Sequence, residues 1–391
     1  MQADRIRQDF EVLKKDIIYF DNACMSLRPK QVVEKINEYY NEYPACSGRS
    51  GHRLGRRVEH EVIAARKKIA KFLNAKKDNE VIFTRNTTEA INIVANSFGL
   101  KKGDTVILSD KEHNSNLVPW LVLKKKAGIK LRQFEFGNIA DFEKKVSGAK
   151  LVSCVQTSNI DGTSQDIKAL SKIAHKNSAR IMVDAAQSAP HKEVDVRKLG
   201  IDFLACSGHK MCGPSGTGIL YGKIKELEKL EPFLTGGDTV KNTTYDSADL
   251  EQIPHRFEAG LQHYAGIAGL GAAVDYLKKI GLKSIQKQEL KVNQIMTEEL
   301  KESVQLLGPE DPAKRSGIFS FNIKGVDPHE IAGMLDHSAK IMIRSGMHCA
   351  HSWFNAHKLK GSARASLYFY NTEEEAEKFV DEVKKIVRLP R

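Results

Sequence analysis

The chain has 391 residues, of which 41% are hydrophobic and 28% are charged, and its formal net charge is +12 at pH 7. This length exceeds what one hydrophobic core usually supports, so we expect two domains. No apolar run approaches the roughly 18 residues that a membrane span needs. The first residues alternate in charge and lack the apolar core of a secretory signal. We therefore expect a cytoplasmic protein that does not contact a membrane.

The basic excess, 61 Lys and Arg against 49 Asp and Glu, raises the question of nucleic acid binding. The lysines occur as scattered pairs and triplets, as in ARKKIAKF and VLKKKAG, without interleaved aromatic residues. Neither a helix-turn-helix nor a zinc-finger spacing is visible. The pattern predicts a generally basic surface, no nucleic acid partner, and compatibility with an anionic small molecule.

From about residue 56 onward, helical and strand-like patterns alternate. RRVEHEVIAARKKIAKFL has the apolar spacing of a helix, and further helices are predicted from about Thr88, near VPWLVLKKKAG and near DIKALSKIAHK. The predicted strands are EVIFT, TVILS, LVSCVQ, RIMVD, DFLAC and GILYG. Strands separated by helices of this length imply crossover connections. The sequence therefore predicts an α/β fold with a mainly parallel sheet and helices on both faces.

The pattern changes beyond about residue 256. YAGIAGLGAAVDYLKKIG predicts a long helix, followed by a second helix that extends to about Leu307. Strands at IFSFNI, IMIRS and RASLYFY and helices near DPHEIAGMLD and TEEEAEKFVDEVKKIV follow, which indicates a smaller C-terminal α/β domain. The predicted division is an N-terminal segment, 1–20, that packs on the small domain, a large domain, 21–260, and the small domain, 261–391.

Polar residues follow five of the predicted strands, at the sheet edge where ligands of open α/β sheets bind. In chain order they are Thr87 and Thr88, His113, Asn159, Asp184 and Gln187, and finally Ser207, His209 and Lys210. Each has a structural explanation on its own, as a helix cap, a turn residue or a surface lysine. Together they match the needs of one cofactor, pyridoxal phosphate.

A pyridoxal phosphate enzyme needs a lysine for covalent attachment, a carboxylate that faces the pyridinium nitrogen, and a phosphate cup. Lys210 and Asp184 fit the first two requirements. Gln187 and Asn159 would hydrogen-bond the ring oxygen, and His113 would stack on the ring and relay a proton. The phosphate would be held by Thr87, Thr88, Ser207 and His209, close to the start of a predicted helix. Lys210 is therefore predicted to anchor a cofactor.

The motifs around these residues resemble those of the class V aminotransferase family, and within it the cysteine desulfurases of the Suf type. VDAAQSAPH and CSGHKMCGPSGTGILYG match the cofactor signature, while YFDNA, FTRNTTEAIN, EHNSNLVPW, TSNIDGT, RFEAG, RSGMHCA and RASLYFYNT extend the likeness over nearly the whole chain. The resemblance implies the type I fold of pyridoxal phosphate-dependent transferases, with a mainly parallel sheet of the seven-stranded type. It also implies a homodimer with active sites at the subunit interface.

The resemblance gives Cys349, in RSGMHCA, the role of a catalytic nucleophile that accepts sulfur, beside the catalytic residues Lys210 and His113. Positive charge from His348 and Arg344 is expected to favour the reactive form of this thiol. A metal site built on HCAH would have an irregular ligand spacing, and we expect none.

The resemblance also indicates how substrate would be held. Arg364, in ARASLYFYNT, would bind the substrate carboxylate through its bidentate guanidinium, and Asn159 and Arg344 are further substrate-binding candidates. The implied reaction removes sulfur from L-cysteine, yielding L-alanine and an enzyme persulfide for a sulfur-acceptor protein, for example in iron–sulfur cluster assembly. A selenocysteine lyase or other cysteine C–S lyase, another class V aminotransferase, and a non-catalytic binding protein are alternatives.

Five residues depart from the usual family pattern, and one of them is Thr235, which stands where relatives carry the first glycine of GGGD. Leu261 stands where relatives carry a threonine that reaches the phosphate across the subunit interface, and Cys24 replaces a small residue. Asn114 stands where many relatives have a second histidine, and His351 is unusual after HCA. We expect these changes to affect the mouth and rim of the site more than its core chemistry.

Overall fold

The computed structural model describes residues 3–48 and 51–390. The helices are α1 (Ala3–Arg7), α2 (Lys30–Glu42), α3 (Arg53–Phe72), α4 (Thr87–Ser97), α5 (Asn114–Ala127), α6 (Ile139–Lys145), α7 (Ile167–Lys176), α8 (Ile224–Leu227), α9 (Tyr264–Ile280), α10 (Leu282–Leu300), α11 (Pro328–Ala339), α12 (His351–Ala356) and α13 (Glu373–Val387). The strands are β1 (Ile18–Tyr19), β2 (Val81–Thr84), β3 (Thr105–Ser109), β4 (Lys130–Phe134), β5 (Ala149–Val155), β6 (Arg180–Asp184), β7 (Phe203–Ser207), β8 (Gly218–Gly222), β9 (Val240–Thr243), β10 (Ala248–Leu250), β11 (Gln305–Leu307), β12 (Ile318–Asn322), β13 (Ile341–Met342), β14 (Arg344–Gly346) and β15 (Ser362–Ser366).

A seven-stranded sheet forms the centre of the fold, in the order β2-β8-β7-β6-β5-β3-β4. The strands from β7 to β4 pair in parallel, whereas β8 runs antiparallel to both of its neighbours. Helices α5, α6 and α7 each connect consecutive parallel strands, as a crossover connection requires. The predicted α/β fold with a mainly parallel sheet is confirmed.

Both faces of this sheet are buried. On β3, Ile107 belongs to one hydrophobic cluster, while Val106 and Leu108 belong to another. Because successive side chains of a strand point to opposite faces, the two clusters lie on opposite sides of the sheet. Burial on both faces explains why these strands read as continuous apolar runs without polar alternation.

The smaller sheet is antiparallel, in the order β11-β12-β15-β14, and it packs against α10, α11 and α13. Its core is aromatic, and the Phe321 and Phe379 rings meet edge to face with centroids 5.8 Å apart. The prediction of a helix to Leu307 is wrong, because α10 ends at Leu300 and β11 begins at Gln305. A short apolar run fits either a strand or a helix, and pairing with β12 decides the outcome here.

The N-terminal segment contributes to one apolar cluster of the central sheet and to the cluster of the small sheet. Phe10 packs with Tyr370 in the cluster on the central sheet, at a centroid distance of 4.7 Å. Ile18 and Phe20 belong to the cluster of the small sheet, and β1 pairs in parallel with β13. The division at residues 20 and 260 stays a prediction.

Among the helices of the described ranges, none is both long and apolar enough to cross a membrane.

The start of α4 depends on a glycine in the neighbouring strand. A Cβ at Gly218 would lie 2.5 Å from the Asn86 Cα and 2.7 Å from its backbone nitrogen, where nothing flexible can move aside. We expect Gly218→Ala to lower the free energy of unfolding by about 1–3 kcal/mol, as overpacking does. Chemical denaturation measures the loss.

Gly333→Ala is the matched control. Gly333 lies in α11 with nothing within 4 Å of an added Cβ, so the substitution should leave stability unchanged or raise it by about 1 kcal/mol. Equal stability of the two variants would contradict the close approach of Gly218 to Asn86.

Candidate active site

A cavity of about 230 Å³ opens where the central sheet meets the small domain. Every residue predicted for the site lines it: Thr87, Thr88, His113, Asn159, Asp184, Gln187, Ser207, His209, Lys210, Arg344, Cys349 and Arg364. Cys24 and His348 also line the cavity. The role of each residue stays a prediction, but the side chains lie together.

Lys210 and Asp184 lie at the ends of adjacent parallel strands. Lys210 ends the short 3-10 turn after β7, and its amine has no hydrogen-bond or ion-pair partner among the described residues. Burial lowers the pKa of this amine, and the carboxylate of Asp184 partly opposes the shift. Burial raises the pKa of Asp184, which is 3% exposed, while a bond from the Ala186 N–H at 2.9 Å stabilises the carboxylate. The pair combines a nucleophilic amine with a buried acid group.

The start of α4 supplies a cluster of hydroxyl groups. The Thr87 N–H donates to Ser207 Oγ at 2.9 Å, and the two side-chain oxygens lie 2.6 Å apart. Thr88 Oγ1 lies 2.7 Å from Ser115 Oγ. Burial lowers the pKa of His209 to about 4, so this imidazole is neutral at pH 7. Neutral donors at the positive end of a helix suit a phosphate group.

His113 caps α5 with its side chain. Its Nδ1 accepts a hydrogen bond from the Ser115 N–H at 3.0 Å. Burial and the nearby charges of Lys210 and Arg364 lower the pKa of His113 to about 3. A neutral ring whose Nδ1 accepts must carry its proton on Nε2, so His113 has one proton to give.

Two arginines meet an acidic residue that the sequence analysis missed. Arg364 Nη2 lies 3.7 Å from Asp21 Oδ1, and Arg344 Nη1 lies 3.4 Å from Asp21 Oδ2. Arg364, only 2% exposed, also donates to Asn159 O at 2.8 Å, and its Nε has no partner among the described residues. Asp21 orients both cations. Its signal in the sequence was a single acidic residue directly after the apolar run IIYF.

The two amide side chains predicted to bind a ring oxygen are partly engaged. Gln187 Nε2 donates to Ala23 O, and Asn159 Nδ2 donates to His348 O, both at 2.7 Å. Asn159 Oδ1 is buried without a partner in the described structure. This oxygen is free to accept a hydrogen bond from a ligand in the cavity.

Cys349 lies in a strained loop. The φ angles of His348 and Cys349 are +48° and +56°, a left-handed conformation that is costly for residues other than glycine. The loop is held by Asn159 at His348 O and by the Asn114 N–H, which donates to Cys349 O at 2.7 Å. The exposed thiol is therefore presented by a loop whose carbonyls are fixed.

The expected positive charge of His348 is absent. Burial lowers the pKa of His348 to about 2, so the ring is neutral, and its Nε2 lies 2.8 Å from Ser362 Oγ. The prediction that this histidine supplies charge to Cys349 is wrong, because the loop folds the ring inward. The cations of the cavity are Arg344, Arg364 and, when protonated, Lys210.

Known proteins resemble this chain over nearly its whole length. The family model for class V aminotransferases matches residues 18–379. The chain belongs to the class V aminotransferase family. It is 42% identical to a probable cysteine desulfurase of Pyrococcus abyssi, over 99% of this chain and 98% of that protein.

Solved structures agree with this family membership. The apo structure of a cysteine desulfurase from Thermococcus onnurineus matches this class V chain with a TM-score of 0.95 and 41% identity, over 98% of both chains. The cysteine desulfurase CsdA from Escherichia coli matches with a TM-score of 0.93 and 30% identity, over 100% of both. The predicted type I fold is confirmed. In the described ranges, no three His, Cys, Asp or Glu side chains are grouped as metal ligands.

Two departures from the class V pattern lie in contact with each other. Asn114 Nδ2 lies 2.9 Å from His351 Nδ1, although the residues are 237 positions apart in sequence. Asn114 thus contacts the loop twice, through its backbone at Cys349 and through its side chain two residues later. The pair fixes the loop from the rim of the cavity.

A double-mutant cycle tests this contact. We expect Asn114→Ala and His351→Ala to be coupled by about 0.5–1.5 kcal/mol in the free energy of unfolding, because either change removes the same hydrogen bond. Urea denaturation of the wild type, both single variants and the double variant measures the coupling. Pairing His351→Ala with Asn96→Ala, on the exposed surface of α4, should give additive effects. Additivity in both cycles would contradict the contact.

The buried His348 predicts a pH-dependent stability. The folded state keeps this ring neutral, whereas the unfolded chain takes up a proton below about pH 6.5. The unfolded state then binds more protons, so stability falls as the pH drops, by about 2 kcal/mol between pH 7 and 5 for this group. We expect His348→Gln to lose about 2 kcal/mol less than the wild type over this interval in urea denaturation. His60→Gln, at an exposed position, should behave as the wild type, and an unchanged loss in His348→Gln would refute the assignment.

Proposed function

We propose that the chain is a pyridoxal phosphate-dependent cysteine desulfurase, which converts L-cysteine to L-alanine and retains the sulfur as a persulfide on Cys349. One observation carries this proposal. A single cavity holds an unpaired lysine, a buried carboxylate, a buried arginine and an exposed cysteine. An aminotransferase needs the first three groups, whereas a thiol in the same cavity is the group that accepts sulfur.

The residues of the cavity fit pyridoxal phosphate. Lys210 offers a primary amine without a partner among the described residues, and Asp184 offers a buried acid group across from it. The hydroxyls of Thr87, Thr88 and Ser207 lie at the start of α4, where a phosphate is stabilised. Asn159, which lines the same cavity, has an unsatisfied acceptor in its Oδ1. Enzymes of this family depend on pyridoxal phosphate.

Four residues of the cavity act on the substrate, namely Arg364, Lys210, His113 and Cys349. When bound, the cofactor supplies an electron sink for the carbon atoms of the substrate. Arg364 binds the substrate carboxylate, because its buried guanidinium has an unsatisfied Nε. Lys210, with its lowered pKa, accepts and returns a proton at the substrate α-carbon. His113 donates its Nε2 proton.

Cys349 takes the sulfur. Its sulfur forms a bond to the sulfur of L-cysteine, and the bond between that sulfur and the substrate carbon breaks. The electron pair of the broken bond stays with carbon, which takes a proton and becomes the methyl group of alanine. The products are alanine and a persulfide, so atoms and electrons balance without an added oxidant.

Three parts of the expectation remain proposals: a cytoplasmic location, a homodimer, and an acceptor protein for the sulfur. The dimer is supported by apolar side chains on one side of the molecule. Leu261 is 72% exposed and lines a shallow region near α4 together with Leu234, and Phe233, next to Leu234 in the chain, is also exposed. A second copy of the chain would remove this apolar surface from water.

Substitution of Cys349 tests the function. We expect Cys349→Ser to lower alanine formation from L-cysteine by about 100-fold or more, because serine cannot accept sulfur, while the visible absorption of the bound cofactor is retained. We expect Lys210→Ala to lose the wild-type absorption band and the activity. Cys46→Ser, at an exposed cysteine that does not line the cavity, should behave as the wild type.

The same assay separates the alternatives. Alanine must form without any keto acid, since an aminotransferase would require one. Cys349→Ser separates the other alternative, because a desulfurase should lose cysteine cleavage, whereas a selenocysteine lyase should keep its activity on selenocysteine. Undiminished cysteine cleavage in Cys349→Ser would refute the persulfide.

A further inference from the structure

The cavity contains a second cysteine, Cys24. Of the six cysteines, Cys154, Cys206 and Cys212 are buried in the core, where burial raises the pKa of each thiol. Cys46 is exposed away from the cavity. Cys24 and Cys349 alone line it, and both are accessible.

The surroundings of Cys24 resemble those of a reactive thiol. Arg344 Nη1 donates to Cys24 Sγ at 2.9 Å, and a guanidinium donor stabilises negative charge on its acceptor. Reactive cysteines occupy partly exposed, positively charged positions, as this one does. Cys24 and Cys349 are both electrostatic neighbours of Lys210, Arg344 and Arg364. The two thiols therefore share one set of cations.

We propose that Cys24 is a second sulfur carrier, which takes the outer sulfur of the Cys349 persulfide within the cavity. This inference rests on the proposed function, because it needs the persulfide as its donor. Both cysteines line one cavity of about 230 Å³, and Arg344, which donates to Cys24 Sγ, lines the same cavity.

The transfer balances without a co-reactant. Cys24 Sγ gives up its proton and forms a bond to the outer sulfur of the persulfide. The sulfur–sulfur bond at Cys349 breaks, and its electron pair stays on Cys349 Sγ, which takes the proton. One sulfane sulfur is present before and after the step. Cys349 becomes free for another turnover, so one protomer stores two sulfane sulfurs.

A structural role predicts a different result. If Cys24 only accepts the Arg344 hydrogen bond, serine should replace it without consequence, because a hydroxyl also accepts. Cys24→Ser is therefore the test variant. Cys46→Ser removes an accessible thiol outside the cavity and is its matched control.

The experiment counts and locates sulfane sulfur. The holoenzyme is incubated with excess L-cysteine without reductant or acceptor protein, alkylated, digested and analysed by mass spectrometry, with cyanolysis as the total count. We expect about two sulfane sulfurs per protomer in the wild type and in Cys46→Ser, on the peptides of Cys349 and Cys24. We expect one in Cys24→Ser and none in Cys349→Ser.

Each other outcome overturns the transfer. A persulfide on Cys349 with an unmodified Cys24 would refute this inference and leave the proposed function intact. A Cys24–Cys349 disulfide would show attack on the inner sulfur instead. Persulfide on Cys24 in Cys349→Ser would show direct acceptance from substrate. Absence of persulfide on both cysteines would refute the proposed function as well.

Discussion

An amine held in a buried cavity without a partner is the constraint on which this molecule depends. In the described structure, no carboxylate lies within ion-pair distance of the Lys210 amine, although Asp184 ends the adjacent strand. The short turn that carries Lys210 requires Gly208, because a Cβ there would clash with Thr217. Burial of an unpaired lysine costs free energy. Burial of the two apolar clusters on the central sheet stabilises the fold and offsets this cost.

The second requirement is that the central sheet and the small sheet pack together in one defined arrangement. Arg344 and Arg364 lie on strands of the small sheet, whereas Asn159 follows a strand of the central sheet. Bonds across this boundary join Arg364 to Asn159 and Asn159 to His348, and Asp21 lies between the arginines. The site is therefore formed only when the layers pack, which couples the geometry of the cavity to the stability of the whole fold.

The sequence predicted those features of the molecule that depend on the local pattern of apolar and polar residues. Polar residues at the ends of buried strands predicted the lining of the cavity, because parallel strands end at one edge. The strand β4 was missed because most of its side chains are exposed at the sheet edge, which leaves no apolar run. The contacts of Asp21 and the neutral state of His348 could not be predicted from the sequence, for another reason. The distance between Asp21 and its arginines and the burial of His348 arise from contacts far apart in sequence.

Several residues that depart from the family pattern form contacts that the sequence alone does not reveal. Asn114 and His351 are separately unusual, yet they meet at one hydrogen bond beside Cys349. Cys24 is unusual too, and its sulfur contacts Arg344. Each residue proposed to hold the cofactor would have to satisfy a fixed group of that ligand. At the rim, Asn114 and His351 satisfy each other, so a change at either residue removes the hydrogen bond of the other. The features that distinguish this chain from the family pattern are therefore expected at the rim of the cavity, around Asn114, His351 and Cys24.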